Sequence, residues 1–142
     1  MPHAAKVDEI SESFNRRVVD PYIEPGNRIA HDMYDNLELP WVADPTQTAF
    51  PKDEFQRFDW DRGGLSDGKD FFGGSVEFPI SFYEQAIGTV GAVTRWREAH
   101  PELVGTERDC VKEVLAELRE VLGETPLRGG GATVLLLFKK SE

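Results

Sequence analysis

Apolar residues recur at steps of three and four from Val7 through Ile10 and Phe14 to Val18, the spacing of one face of an α-helix. Pro21 predicts the end of that helix, because its ring blocks the helical hydrogen-bond ladder. Pro25-Gly26-Asn27 reads as a turn, with Asn27 able to cap a second helix whose stripe is Ile29, Ala30, Met33, Tyr34 and Leu37. Pro40-Trp41 predicts its end. Val42 to Asp53, with Pro45 and Pro51, lacks periodicity and reads as a surface loop. Phe55 to Trp60 alternates and predicts a short strand. Residues 61 to 74 are rich in Gly, Asp and Ser and predict a loop, a kind of segment that often serves as a lid or a partner-binding stretch.

Further along, Ser81-Phe82-Tyr83-Glu84 fits a capping box opening a helix that runs to about Ile87. Gly88 interrupts it, Thr89 can cap again, and Val90, Val93 and Trp96 continue at helical spacing until His100-Pro101. Thr106-Glu107-Arg108-Asp109 starts the strongest helix, Thr106 to Leu122. Its stripe is Val111, Val114, Leu115, Leu118, Val121 and Leu122, and Gly123 breaks it. Gly129-Gly130-Gly131 reads as a flexible turn into Ala132 to Phe138, an uncharged run expected to be a strand buried on both faces. The predicted order is helix, helix, strand, paired helices, long helix, buried strand, an α+β arrangement. This final strand wants a neighbour on each edge, yet the chain offers one other convincing strand, Phe55 to Trp60. An open edge costs hydrogen bonds and invites association.

Composition narrows the classes of function. The 142 residues fit one domain, 1–142, of ordinary size. A hydrophobic share of 39% is too high for a disordered tail, and the longest apolar stretch is strand-sized, too short to span a membrane. The net charge of -10 opposes binding to nucleic acid or to an anionic membrane, so neither is an expected partner. Asp8 and Glu9 follow the N-terminus where a secretory signal would be apolar. One cysteine, Cys110, allows no internal disulfide and no cysteine-based metal site, and a reducing, cytoplasmic location is expected. Three histidines and scattered acids show no metal-ligand spacing. Asp59, Asp61, Asp67 and Asp70 lack the spacing and terminal Glu of a calcium loop.

Three segments carry a family resemblance. The first is Pro21-Tyr22-Ile23-Glu24-Pro25-Gly26-Asn27-Arg28, continuing through Asp32-Met33-Tyr34-Asp35-Asn36-Leu37 to Leu39-Pro40-Trp41. The second is Gly88-Thr89 through Val93-Thr94-Arg95-Trp96-Arg97-Glu98-Ala99-His100-Pro101 to Gly105-Thr106-Glu107-Arg108-Asp109. The third is Gly129 to Leu137. Together the chain resembles the C-terminal half of fungal class I S-adenosylmethionine-dependent methyltransferases of the trans-aconitate-methyltransferase-like kind. The resemblance implies a portion of a Rossmann-like fold in which the last strand is antiparallel, and a helical cap over the substrate pocket from residues 8 to 41. It also implies an activity on a small molecule of secondary metabolism. The family binds S-adenosylmethionine through a strand, a glycine-rich turn and a helix, with an acid after the next strand. That unit is missing here, because Gly129 to Gly131 precedes a strand. No cofactor is therefore expected for this chain alone.

Methyl transfer needs alignment more than acid–base chemistry, so this half is expected to supply substrate walls and orienting groups, with no catalytic residue assigned. Tyr34, Trp41 and Trp96 are candidate walls, with core packing as the alternative. Arg28 and Arg95 can hold a substrate carboxylate in a bidentate contact, with ion pairs to Asp32, Glu98 or another acid as the alternative. His31 and His100 are candidate bases whose competing roles are capping and surface contacts. Cys110 is a poor nucleophile candidate, since it opens a helix without a neighbouring histidine. A stand-alone ligand-binding or non-methylating module is the rival reading. The expected macromolecular partner is a second copy or another chain paired through residues 132–138.

Overall fold

The computed structural model describes residues 3–65 and 70–142. In chain order the helices are α1 (Ala4–Phe14), α2 (Asp20–Tyr22), α3 (Pro25–His31), α4 (Pro40–Ala43), α5 (Ile80–Gly88), α6 (Gly91–Ala99) and α7 (Cys110–Leu122), with a π-helical turn at Asn15–Val19 and a 3-10 turn at Lys52–Glu54. The strands are β1 (Gln56–Trp60), β2 (Val76–Phe78), β3 (Leu127–Gly129) and β4 (Thr133–Leu137). They form two antiparallel pairs, β1 with β4 and β2 with β3. The chain is thus mixed α and β, with more helix than strand, and it divides into two compact units, Met1–Glu24 with Val76–Gly129 and Pro25–Ser75 with Gly130–Glu142.

The first unit is organised by α7. Its predicted stripe is buried, with Val114, Leu115 and Leu118 each 1% exposed. Against it pack Val7, Ile10, Phe14 and Val18 from α1 and the π turn, Ile80 and Ile87 from α5, and Val93 from α6. Each fully buried Leu of this kind contributes about 1.5–3 kcal/mol. Asp109 caps α7 by accepting the Val111 N–H, and Gly123 ends it at φ 59°, a left-handed conformation that costs glycine little. β2 and β3 were not foreseen, since three-residue strands carry almost no periodicity. Val76 and Gly129 face each other across this pair, so the points where the chain enters and leaves the segment are cross-strand neighbours.

Several boundaries differ from the sequence expectation. Pro21 does not stop the first helix; the chain stays helical to Tyr22. The π turn at Asn15–Val19, closed by the Asp20 N–H on the Asn15 carbonyl, lies just ahead of the proline and departs from the α-helical ladder that its ring would obstruct. Ser81 caps nothing, because α5 already begins at Ile80 with Pro79 before it. Thr89 closes α5 by donating its hydroxyl to the Ala86 carbonyl, and Val90 precedes α6.

In the second unit, Pro25 begins α3 and Asn27 lies inside it, so the expected turn and Asn27 cap do not form; proline suits a first helical turn, where its missing N–H costs nothing. The predicted stripe does not persist, because Met33 and Tyr34 take φ of 54° and 60° and turn the backbone left-handed. Pro40 opens α4 instead of closing a helix. β1 lies where the alternation put it. It pairs with β4 from Gln56↔Leu137 to Trp60↔Thr133. The expectation that β4 is buried on both faces fails within this chain: Leu135 and Leu137 are 43% and 42% exposed. Nor is Gly130 a spare hinge. A Cβ there would lie 2.3 Å from Phe71 Cδ2 and 2.9 Å from the Gly74 carbonyl, so only glycine fits. Part of the predicted loop at 61–74, including Asp67, lies outside the described residues.

Two stability outcomes follow from this packing. Leu118→Ala is expected to cost about 2–5 kcal/mol in urea melts, the range for deleting a buried Leu side chain; a loss below about 0.5 kcal/mol, typical of surface sites, would place α7's stripe in solvent. Gly130→Ala is expected to cost about 1–3 kcal/mol through overpacking against Phe71, and an unchanged midpoint would contradict that close approach.

Candidate functional site

Arg95 and Trp96 leave the same turn of α6. The Arg95 Nε donates to the Tyr22 carbonyl at 2.6 Å, and Nη1 lies 3.2 Å from Glu24 Oε1. Its Nη2 is buried and has no hydrogen-bond partner. A Cβ at Gly91 would sit at about contact distance, 3.4 Å, from both terminal nitrogens. With Nε and Nη1 engaged, Nη2 is the one donor of this guanidinium left unsatisfied. The indole of Trp96 stacks on the His100 ring at 4.4 Å, and the Tyr22 ring meets His100 edge-on at 6.3 Å. His100 closes α6: its N–H donates to the Trp96 carbonyl at 3.0 Å, with Nδ1 2.9 Å from the same oxygen. Among its two alternative uses, the geometry puts it in the capping role.

The other four sequence candidates belong to the second unit. Arg28 and His31 occupy the last turn of α3, where positive charge suits the helix dipole. His31 Nδ1 is 3.2 Å from Asp32 Oδ1. Tyr34 follows in the left-handed turn and is 39% exposed. Trp41 packs edge-on against Phe55 at 5.2 Å and near Phe138 at 6.3 Å, and Phe55 and Phe138 are 5.1 Å apart. This trio is the unit's aromatic packing, and Trp41 serves it. Arg28, His31 and Tyr34 therefore share one short segment, Trp41 joins the aromatic cluster, and Arg95 and Trp96 sit together in the other unit.

Two polar centres escaped the sequence reading. Arg57 donates to the Met33 carbonyl and to Asp35 Oδ1, each at 2.8 Å, and Arg62 grips Asp35 at 2.7 and 2.9 Å and Asp59 at 2.9 Å. The Arg62 bond holds the Asp35 carboxyl below the ordinary carboxylate range. This lattice pins the left-handed turn at Met33-Tyr34 to β1; the alternation of Arg57 with Asp59 was its visible trace. The second centre is Asp109, 1% exposed. It accepts from Arg97 Nε and Nη2 at 3.1 Å and from the N–H groups of Gly105 and Val111 at 3.0 Å. Burial pushes its carboxyl up, but these donors outweigh that and hold it below the usual value. An Asp immediately before a strong helical stripe was the available signal.

Cys110 is buried, and burial pushes its thiol up to about 11, with the Asp109 carboxylate adding to the effect. That leaves it a poor nucleophile. An open groove of about 450 Å³ in the first unit is lined by Phe14, Val19, Tyr83, Ile87 and Val90, with Ser11 and Asn15 at hand. Among the described residues, no group of three His, Cys, Asp or Glu side chains is placed to hold a metal ion, and no helix is long and apolar enough to cross a membrane. Comparisons with protein-family models, with curated proteins and with solved structures find no match to this chain.

Asp109→Ala is expected to cost about 1–3 kcal/mol at pH 7, because Arg97 and two backbone donors lose their acceptor. The folded-state pKa is lowered, so the carboxylate's contribution is present above the unfolded value of about 4 and is lost as pH falls through the folded value. Urea melts at pH 7 and pH 3 should therefore show a smaller gap between wild type and variant at the lower pH; a gap that grows on acidification would contradict the assignment.

Proposed function

We propose that this chain is the substrate-recognition half of a small-molecule S-adenosylmethionine-dependent methyltransferase of secondary metabolism, completed by a partner that carries the cofactor half. The observation that carries the reading is the β1–β4 ladder. β4 is antiparallel to β1, uncharged along its length, half exposed at Leu135 and Leu137, and paired on one edge. That is the arrangement expected of the terminal strand of a Rossmann-like sheet whose remaining strands lie elsewhere. The segment resemblance at residues 21–41, 88–109 and 129–137 supports the same family.

Gly129 belongs to β3, and Gly130 is packed beneath Phe71. S-adenosylmethionine would supply an activated methyl group, and this half would hold the acceptor. In that role Arg95 binds a substrate carboxylate through its unsatisfied Nη2, with Trp96 beside it as an apolar wall. The rival reading, a ligand-binding module without transfer, draws on the apolar groove beside the π turn, since π turns often mark functional positions and the volume suits a small ligand.

Titrated alone with S-adenosylmethionine, the chain should show no binding tighter than about 100 μM, roughly 5.5 kcal/mol. A tighter constant would put the cofactor site inside this chain and overturn the half-enzyme reading. Mixed with the N-terminal half of a fungal methyltransferase of this kind, the folded chain should support methylation of small carboxylic acids. Arg95→Ala should lower kcat/KM about 10- to 100-fold, the value of a charge-assisted hydrogen bond. An Arg95→Ala variant as active as wild type would remove Arg95 from the substrate site.

A further inference from the structure

Phe58 and Leu135 are cross-strand partners, so their side chains share one face of the β1–β4 ribbon, together with Trp60 and Leu137 two residues away on each strand. Phe58 is 43% exposed on this face, beside Leu135 and Leu137. Phe72, 61% exposed, stacks on Trp60 at 4.0 Å and extends the apolar surface. Among the described residues, β1 is the one strand paired with β4, which leaves β4 an open ladder edge beside this face. Arg95 Nη2 belongs to the site already described, and nothing in the structure names an occupant for the groove beside the π turn.

We infer that β4 pairs with β4 of a second copy of this chain, antiparallel about a two-fold axis through Leu135, to make a four-stranded sheet β1–β4–β4–β1. This goes beyond the methyltransferase reading and uses the same open edge of β4, so a partner carrying the cofactor half would displace the second copy there. The occupant is specified by the self-complementarity of the strand. With the axis at Leu135 and normal to the sheet, Leu135 meets its own copy, Val134 meets Leu136, Thr133 meets Leu137 and Ala132 meets Phe138. No charge enters the ladder. Lys139 and Lys140 fall opposite Gly131 and Gly130, so the flanking cations meet glycines and avoid each other. The same operator keeps Phe58, Leu135 and Leu137 of both copies on one face, doubling the apolar strip. The opposing influence is the net charge of -10 on each chain, a long-range repulsion that salt screens within a Debye length of about 8 Å at physiological ionic strength. The pairing should therefore tighten as salt is raised.

The test combines mass in solution with a register-specific crosslink. By light scattering the wild type should be a dimer at about 100 μM, within the range where open strand edges associate. Leu135→Lys, which sets two cations against each other at the axis on an already exposed position, should be a folded monomer by the same measurement and by circular dichroism. Under mild oxidation, Leu135→Cys should give a covalent dimer, because only at the axis does a residue face its own copy; Leu137→Cys should not, and Cys110 is buried. A monomeric wild type at that concentration overturns the inference, as does a Leu137→Cys variant that crosslinks as readily as Leu135→Cys. None of these readouts involves S-adenosylmethionine, so failure here leaves the functional reading to its own titration.

Discussion

A strand must find partners for its backbone N–H and C=O groups, and among the described residues β4 meets that requirement through β1 alone. Its ladder with β1 joins residues 56–60 to residues 133–137, and the segment Val76–Gly129 of the other unit lies between them in sequence. Closing so long a connection is entropically costly unless the intervening chain is already folded. The β2–β3 pair answers that requirement: Val76 and Gly129 are cross-strand partners, so the inserted segment begins and ends at one place. Behind that pair stands α7, whose buried face organises α1, α5 and α6. The ladder thus depends on the helical packing, although it shares no residues with it.

The same dependence explains what was legible in the sequence. The stripe and C-terminal end of α7 were legible, because a long amphipathic stripe closed by Gly123 is a local signal; its start was read at Thr106, four residues ahead of Cys110, because Asp109 caps the helix. β1 and β4 were equally visible through alternation and through an unbroken apolar run. What was missed is non-local. Strands of three residues, β2 and β3, exist because their ends are brought together by helices, and nothing in Val76-Glu77-Phe78 announces it. The end of α3 was misplaced because Met33 and Tyr34 look like the next positions of a stripe. Their left-handed backbone is held by Arg57 and Asp35 from outside the helix. Gly130 was read as freedom, whereas it is required by the close approach of Phe71.

The candidate site was partly legible. Arg95 was singled out for its chemistry, and its Nη2 is buried without a hydrogen-bond partner. Trp41 was singled out on the same grounds and serves the packing of Phe55 and Phe138. Residue type alone could not separate these two outcomes, since an indole suits a substrate wall and a core equally well. Asp109 illustrates the converse: a buried carboxylate with four donors organises the entry to α7, and its role is structural.

The central claim is that the outer edge of β4 is an incomplete part of a sheet that association completes. Amide hydrogen exchange of the β4 segment, followed at low and high protein concentration, tests it most directly. The account predicts that the β4 amides not engaged with β1 exchange fast in dilute solution and become protected as concentration rises, while the amides of α7 are protected throughout. Protection of β4 that is complete and independent of concentration would contradict it, because the edge would then already be satisfied within a single chain.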